Sequence, residues 1–337
     1  MREANRYCTF WMAVILVLAL ALWGPGLAMQ LHAQGAEQNW EKAAGGKQSF
    51  DVASVREDNA GGQSYSNFNL DNGNAYSVIG KGERVAPGGD LFSAKNQTLL
   101  RYIIFAYKLG GTQELALRFE FYSGLRLHVP DWVKNDHYDI EARASAPVTK
   151  DQMRLMMQSL LADRFKLTVH WEMREAPVFT LVLDKPAKLG PEIEPHPPGD
   201  DCAQAELPAQ VNNLTLSAVS LSALPIPCGM IAHLPPSAPG NHRFGGRNVT
   251  LAMLASSLPT QTGLVTVPRP VIDRTGLAGG YDFSLEWTPE DTSEVDNRES
   301  GGTFRDALKE LLGLKLKPDK GPVPVLVIDH VEQPSPN

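Results

Sequence analysis

The feature that most constrains this chain is that it repeats itself. The segment FSAKNQTL beginning at Phe92 is echoed by FGGRNVTL beginning at Phe244, and Tyr138-Asp139-Ile140 by Tyr281-Asp282-Phe283. The stretch RLMMQSLLADRFKLTV (154–169) is answered by RDALKELLGLKLKP (305–318), and VFTLVLD (178–184) by VPVLVID (323–329). The four echoes keep their order at offsets of 152, 143, about 151 and 145 residues. Self-similarity at a near-constant spacing points to two copies of one structural unit. The 337 residues, 43% of them hydrophobic and 20% charged, are enough for two cores of ordinary globular composition.

Each copy can be read from its periodicity. Asn-x-Thr-Leu (96–99 and 248–251) opens a helix, because Asn or Thr can cap the free N–H groups of a first turn. Leu99, Ile103, Ala106 and Tyr107 then fall on one helical stripe. Tyr138, Ile140 and Ala142 alternate with Asp139, Glu141 and Arg143, and Tyr281, Phe283 and Leu285 with Asp282, Ser284 and Glu286. Both patterns predict half-buried strands with their carboxylates facing solvent. A second helix buries Met153, Met156, Met157, Leu160 and Leu161 in one copy, and Phe304, Ala307, Leu308, Leu311 and Leu312 in the other. Hairpins close each unit, Lys166–Glu172 with Val178–Asp184 and Leu314–Lys317 with Val323–Val331. The fold class is therefore α+β: two tandem helix–strand units with mixed or antiparallel sheets. The first spans 48–185 and the second 241–337. Residues 186–240 hold 11 of the 25 prolines and read as a linker. Residues 56–90 and Glu290–Gly302 read as irregular loops.

The N-terminus carries an address. Arg2 and Arg6 precede the apolar run Phe10–Trp23, and small residues offer cleavage after Ala28 or Ala33. That is the three-part pattern of a secretory signal, 1–33, too short for a permanent span; an uncleaved anchor is the alternative, and the one route by which a membrane would be involved. The expected location is periplasmic or extracellular. Cleavage after Ala33 removes Cys8 and leaves Cys202 and Cys228, which in an exported protein read as one disulfide rather than two free thiols. With 31 Lys+Arg against 38 Asp+Glu, a net charge of −7 and no basic run, nucleic acid is not an expected partner.

No catalytic signature emerges. The chain lacks GxSxG, SxxK, HExxH and GxxxxGK[ST], and its eight histidines include no i, i+3 or i, i+4 pair, so neither a metal nor a cofactor is expected. Asp139 and Asp282, at matching places in the two copies, could act as an acid–base pair. His170 shares a strand face with Glu172 and completes the set of weak catalytic candidates. For each the plainer reading is a polar strand position. Asp273 reads as an Asp-capped turn, Trp132 and Trp287 as packing, and Arg154, Arg164 and Arg174 as partners of nearby carboxylates.

At these residues the chain resembles a secreted soil-bacterial family of unknown function. The resemblance is carried by FDVASVRE (50–57), GGDLFSAKNQTLLRYIIFAYKL (88–109), PDWVKNDHYDIEARA (130–144), QSLLADRFKLTVHWEMREAPVFTLVLDK (158–185), VIDRTGLAGGYDFSLEWTP (271–289) and LKELLGLKLKPDKGPVPVLVIDHVEQPSPN (308–337). It departs from the pattern at Thr112–Arg126, which reads as an insertion. The resemblance implies an exported stand-alone protein, with a similar domain at the periplasmic end of BlaR/MecR-like membrane metallopeptidases, and assigns no catalytic residue. The units are also similar to the small βαβ modules of secretins and outer-membrane receptors. The expected function is an exported, non-catalytic envelope protein that binds a protein, peptide or glycan. The alternative is a secreted hydrolase with a site between the two units, which requires Asp139, Asp282 and His170 to converge.

Overall fold

The computed structural model of the protein describes residues 39–73, 89–120, 122–200, 202, 220–264, 266–289 and 303–334. The expected signal segment, the 290–302 loop and residues 203–219 of the expected linker lie outside the described residues. The chain divides into Met1–Gly46 and Lys47–Asn337. The first holds the short helix α1 (Asn39–Ala43).

In the second, β1 (Val52–Glu57) and β2 (Tyr65–Ser66) precede β3 (Leu91–Thr98), which runs directly into α2 (Leu99–Ala106). Helices α3 (Gly111–Arg118) and α4 (Asp131–Asn135) follow, then β4 (His137–Arg143), α5 (Lys150–Phe165) and the long β5 (Thr168–Leu183). Next come β6 (Ile193–Pro195), β7 (Met230–His233) and β8 (His242–Val249), which runs into α6 (Leu251–Thr262). The chain ends with β9 (Val271–Asp273), β10 (Tyr281–Trp287), α7 (Phe304–Leu312) and β11 (Leu314–His330).

The fold is α+β with mixed and antiparallel sheets. The first sheet has the order β1-β4-β3-β2 and the second β6-β10-β8-β7, so both place their first, fourth, third and second strands side by side, all antiparallel. The segment expected as a linker therefore supplies two strands of the second sheet. Pro227 and Pro235 flank β7, and Pro195 ends β6 opposite Tyr281, where it is tolerated because β6 is an edge strand.

The helices begin where the side chains allow. Thr98 accepts a hydrogen bond from the Arg101 amide and Thr250 from that of Met253, so in both motifs the threonine is the cap. Thr149 and Gln152 form a reciprocal capping box at the start of α5. The expected insertion folds into α3 and a 3₁₀ turn at Tyr122–Gly124; α3 lies on α6, with the Gly111 backbone close against Ser256 and Thr260. Arg174 fastens its end by donating to the carbonyls of Leu125 and Arg126.

The expected closing hairpins do not form. Instead β5 and β11 run extended through both expected turns and pair with each other from Leu314↔Leu183 to His330↔Thr168. PDKG (318–321) has turn chemistry, yet Pro318, Asp319 and Lys320 continue the ladder opposite Phe179, Val178 and Pro177. Pro318, Pro322 and Pro324 share one parity, so their missing N–H groups all fall on the same side of β11, consistent with the side away from β5. β9 joins the other edge of β5 in parallel. Each of the two large cores takes residues from both long strands. Ala176, Val178, Val323, Val325 and Leu326 enter the first, with Phe92, Phe105 and Tyr138. Phe179, Leu181 and Leu314 enter the second, with Phe244, Phe283 and Trp287.

Candidate functional site

The two Tyr-Asp strands owe their aspartates to a shared backbone irregularity. The register between β3 and β4 shifts between Ala94 and Gln97, and that between β8 and β10 between Tyr281 and Phe283. Asn96 (φ 51°) and Asn248 (φ 49°) sit at the shifts in the left-handed region, which asparagine tolerates better than most residues. Each leaves an amide turned out of the ladder. The Asn96 N–H donates to Asp139 Oδ1 and the Asn248 N–H to Asp282 Oδ1, both at 2.8 Å. The Asn-x-Thr-Leu and Tyr-Asp echoes thus belong to one device: the carboxylate satisfies the bulge, and the bulge aims the chain into a capped helix.

Beyond that device the two sites differ. Asp139 is half-buried, and Asn96 Nδ2 holds the Gly62 carbonyl of the short β1–β2 connection. Asp282 was expected to face solvent but is 0% exposed. The correction has a topological cause: the described ends of the β6–β7 connection, 196–200 and 220–229, lie over the outer face of the second sheet. His196 Nδ1–H donates to Asp282 Oδ1 at 2.7 Å, and Nε2–H to the Asp200 carbonyl at 2.7 Å. The Asp200 carbonyl can only accept, so Nε2 carries a proton, and the Asp282 carboxylate beside Nδ1 favours a second one there. Burial pulls its pKa down, but the Asp200 carbonyl and the Asp282 carboxylate outweigh this and hold it above the ordinary histidine value. Arg247 pairs with Asp200 and places its Nε 3.9 Å from Asp282 Oδ2, a buried oxygen without a hydrogen bond among the described residues. Cys202 and Cys228 form the expected disulfide, and both sulfurs lie 3.8 Å from His196 Nε2. Leu224, Ile226, Met230 and Leu234 form a small third core over the same face.

A second polar cluster lies in the first half. Arg154, expected as a helix-end partner, is buried in mid-helix and donates to the carbonyls of Asp71 and Gly73 at 2.8 and 2.6 Å and to Asp151. Its guanidinium also stands 5.3 Å over the Phe105 ring. Lys150, one helical turn earlier, is buried against Asp71, and desolvation pulls its pKa down to about 8. Lys108 pairs with Asp151 at 3.0 Å. These contacts tie the 67–73 loop to α5.

The three weak catalytic candidates are not brought together. Asp139 belongs to the first sheet, Asp282 to the second and His170 to the third, and no hydrogen bond or ion pair among the described residues joins them. His170 is 51% exposed and bonds Asp329 across the ladder, while Glu172 bonds Arg174. Asp273 accepts from both the amide and the hydroxyl of Thr275, the turn expected of it. Trp287 packs edge-on against Phe244 and Phe304 in the second core, and Trp132 packs against the first.

His196, Asp200 and Arg247 were not singled out by sequence. The available signal was His-x3-Asp-x-Cys at 196–202, hidden in proline-rich chain. His196, Cys202 and Cys228 are the described group whose ligand atoms could surround a metal ion, all lying within 4.8 Å of one another. No helix among the described residues is long and apolar enough to cross a membrane. No curated protein and no solved structure matches the chain. A protein-family model does match, over residues 101–331, with the description "Protein of unknown function (DUF3738)".

Proposed function

The chain belongs to the DUF3738 family, and from that premise we propose that it is an exported, non-catalytic binding protein of the cell envelope. Its ligand in this reading is an extended protein or peptide segment laid on the outer face of the first sheet. The observation that carries it is the unequal treatment of two matching sheets. The second wears its own cover, in which 196–200 set a histidine on Asp282 and 220–234 lay apolar side chains over β8 and β10. The first has only 58–64 in the equivalent connection, and its outer face leaves Val52 65% and Leu91 38% exposed on either side of Arg143. Large exposed apolar side chains beside charged ones suit partner recognition. Asp139 has no ion pair among the described residues, so a ligand with apolar groups and a cation in the place of His196 fits this face.

Export is supported by the apolar run Phe10–Trp23 and by a disulfide, which persists in oxidising compartments. The likeness to secreted soil-bacterial proteins and to the periplasmic end of BlaR/MecR-like peptidases favours the same location. The separation of Asp139, Asp282 and His170 into three sheets favours binding over hydrolysis.

The test is to pan a displayed random-peptide library on the mature chain. Enriched peptides should carry His, Lys or Arg beside apolar residues. Their affinity should fall about tenfold, roughly 1.4 kcal/mol, in Asp139→Asn and in Leu91→Ser. Asn at 139 keeps an acceptor for the Asn96 amide, so folding is preserved. Failure to enrich any sequence, or enriched peptides indifferent to both substitutions, would sink the proposal.

A further inference from the structure

We infer that His196, Cys202 and Cys228 form a redox-gated site for a thiophilic divalent cation, closed while the disulfide stands and opened by its two-electron reduction. Three separate elements bring the ligands together. His196 follows β6, Cys202 lies at the bend that Asp200 caps through its carboxylate (Cys202 N to Asp200 Oδ1, 3.0 Å), and Cys228 bridges to Arg247 on β8. A tetrahedral zinc ion with Zn–S of about 2.3 Å and Zn–N of about 2.0–2.1 Å requires N···S separations of about 3.6 Å. Both His196 Nε2···Sγ distances are 3.8 Å. The imidazole is therefore already at the distance from each sulfur that the metal site needs, and reduction has only to let the two sulfurs move apart.

The surroundings also have the form of a metal site. Ligand histidines are commonly oriented by a carboxylate on the other ring nitrogen. Here Asp282, fully buried, holds Nδ1 at 2.7 Å and turns Nε2 toward the sulfurs, while its second oxygen is without a hydrogen bond among the described residues. Cys202 is buried and the His196 side chain nearly so, which disfavours hydrated hard cations and suits soft ligands. Two thiolates and one imidazole leave a fourth position for water.

The chemistry balances with a phosphine as reductant. Its electron pair breaks the S–S bond, a water molecule gives its oxygen to phosphorus and its two protons to the sulfurs, and phosphine oxide leaves. Binding the cation then displaces the two thiol protons and the Nε2 proton of His196, so that two thiolates and Nε2 face the dication. While the disulfide is intact, neither sulfur offers a thiolate and Nε2 remains committed to the Asp200 carbonyl.

The test uses the mature full chain, oxidised and phosphine-reduced, titrated with Co²⁺ and then Zn²⁺. The reduced protein should take up one equivalent of Co²⁺ with the ligand-field and charge-transfer bands of tetrahedral thiolate coordination, and Zn²⁺ should displace it. The oxidised protein should give none. Cys202→Ser should abolish the bands, His196→Gln should weaken binding at least tenfold, and Asp282→Asn should weaken it roughly 10- to 100-fold as a positioning residue. Near-UV circular dichroism monitors the fold in every case. Absence of bands in folded reduced protein, equal affinity in His196→Gln, or a loss of native signal on reduction that Zn²⁺ does not restore would each overturn the inference. Peptide binding at the first sheet is measured separately, so either reading can fail without the other.

Discussion

At the two Tyr-Asp strands the same carboxylate meets different surroundings, and the consequences of removing it should differ accordingly. Asp282→Ala leaves the His196 ring and the Asn248 amide without their partner in the fully buried place of the carboxylate, and should cost about 3 kcal/mol. Asp139→Ala strips the Asn96 amide at a half-buried site that water can reach, and should cost about 1 kcal/mol. Urea unfolding of both variants checks the ordering; equal losses would contradict it. Lys150 gives the pH dependence. Its folded pKa of about 8 lies below the unfolded value of about 10.4, so between those limits the unfolded chain binds more protons. Stability should therefore rise as pH increases from 8 towards 10, by on the order of 3 kcal/mol from this group, and be lowest below pH 8. Burial of Lys108, also pulled down, acts in the same direction. Lys150→Met should flatten that rise in urea titrations at several pH values; an unchanged slope would show that another group carries it.

Among the elements, what could be read in advance followed from local chemistry. The alternation of β4 and the apolar side of α5 are set by residues within a few positions of one another and stand as the sequence suggests, while of the two caps it allowed, Asn or Thr, the threonine is used. What could not be read depends on distant chain. Ser284 and Glu286 alternate with apolar neighbours like any solvent-facing set, yet Ser284 is buried because 220–234 covers that face, and no local pattern announces the cover. The charged residues of α5 look like a hydrated helix surface, but Lys150 and Arg154 are buried by a loop some 80 residues earlier. The clearest inter-element contact to probe is that of α3 on α6. A Cβ at Gly111 would stand 2.6 Å from the Ser256 carbonyl oxygen and 2.8 Å from Thr260 Oγ1. Gly111→Ala should thus cost about 1–3 kcal/mol through overpacking. Gly124→Ala, whose Cβ would meet nothing within 4 Å, reports instead on backbone conformation at φ +74°. A stable Gly111→Ala protein with unchanged urea midpoint would argue against the close approach.

For the whole molecule the deciding feature is the β5–β11 ladder. Two hairpins that could each have closed on themselves are opened and re-paired across the chain, and both cores draw on both strands. A cut placed between residues 203 and 219, followed by reduction of the disulfide, should leave two pieces that co-elute in native buffer and separate in denaturant. Pieces that part in native buffer would show that the ladder does not hold the halves. The same exchange bears on heredity. A gene that loses the stretch for either half does not leave behind a smaller working protein, because the surviving long strand has lost the partner it was shaped against. Descendants of such a gene can vary their loops, but they must pass on both halves together.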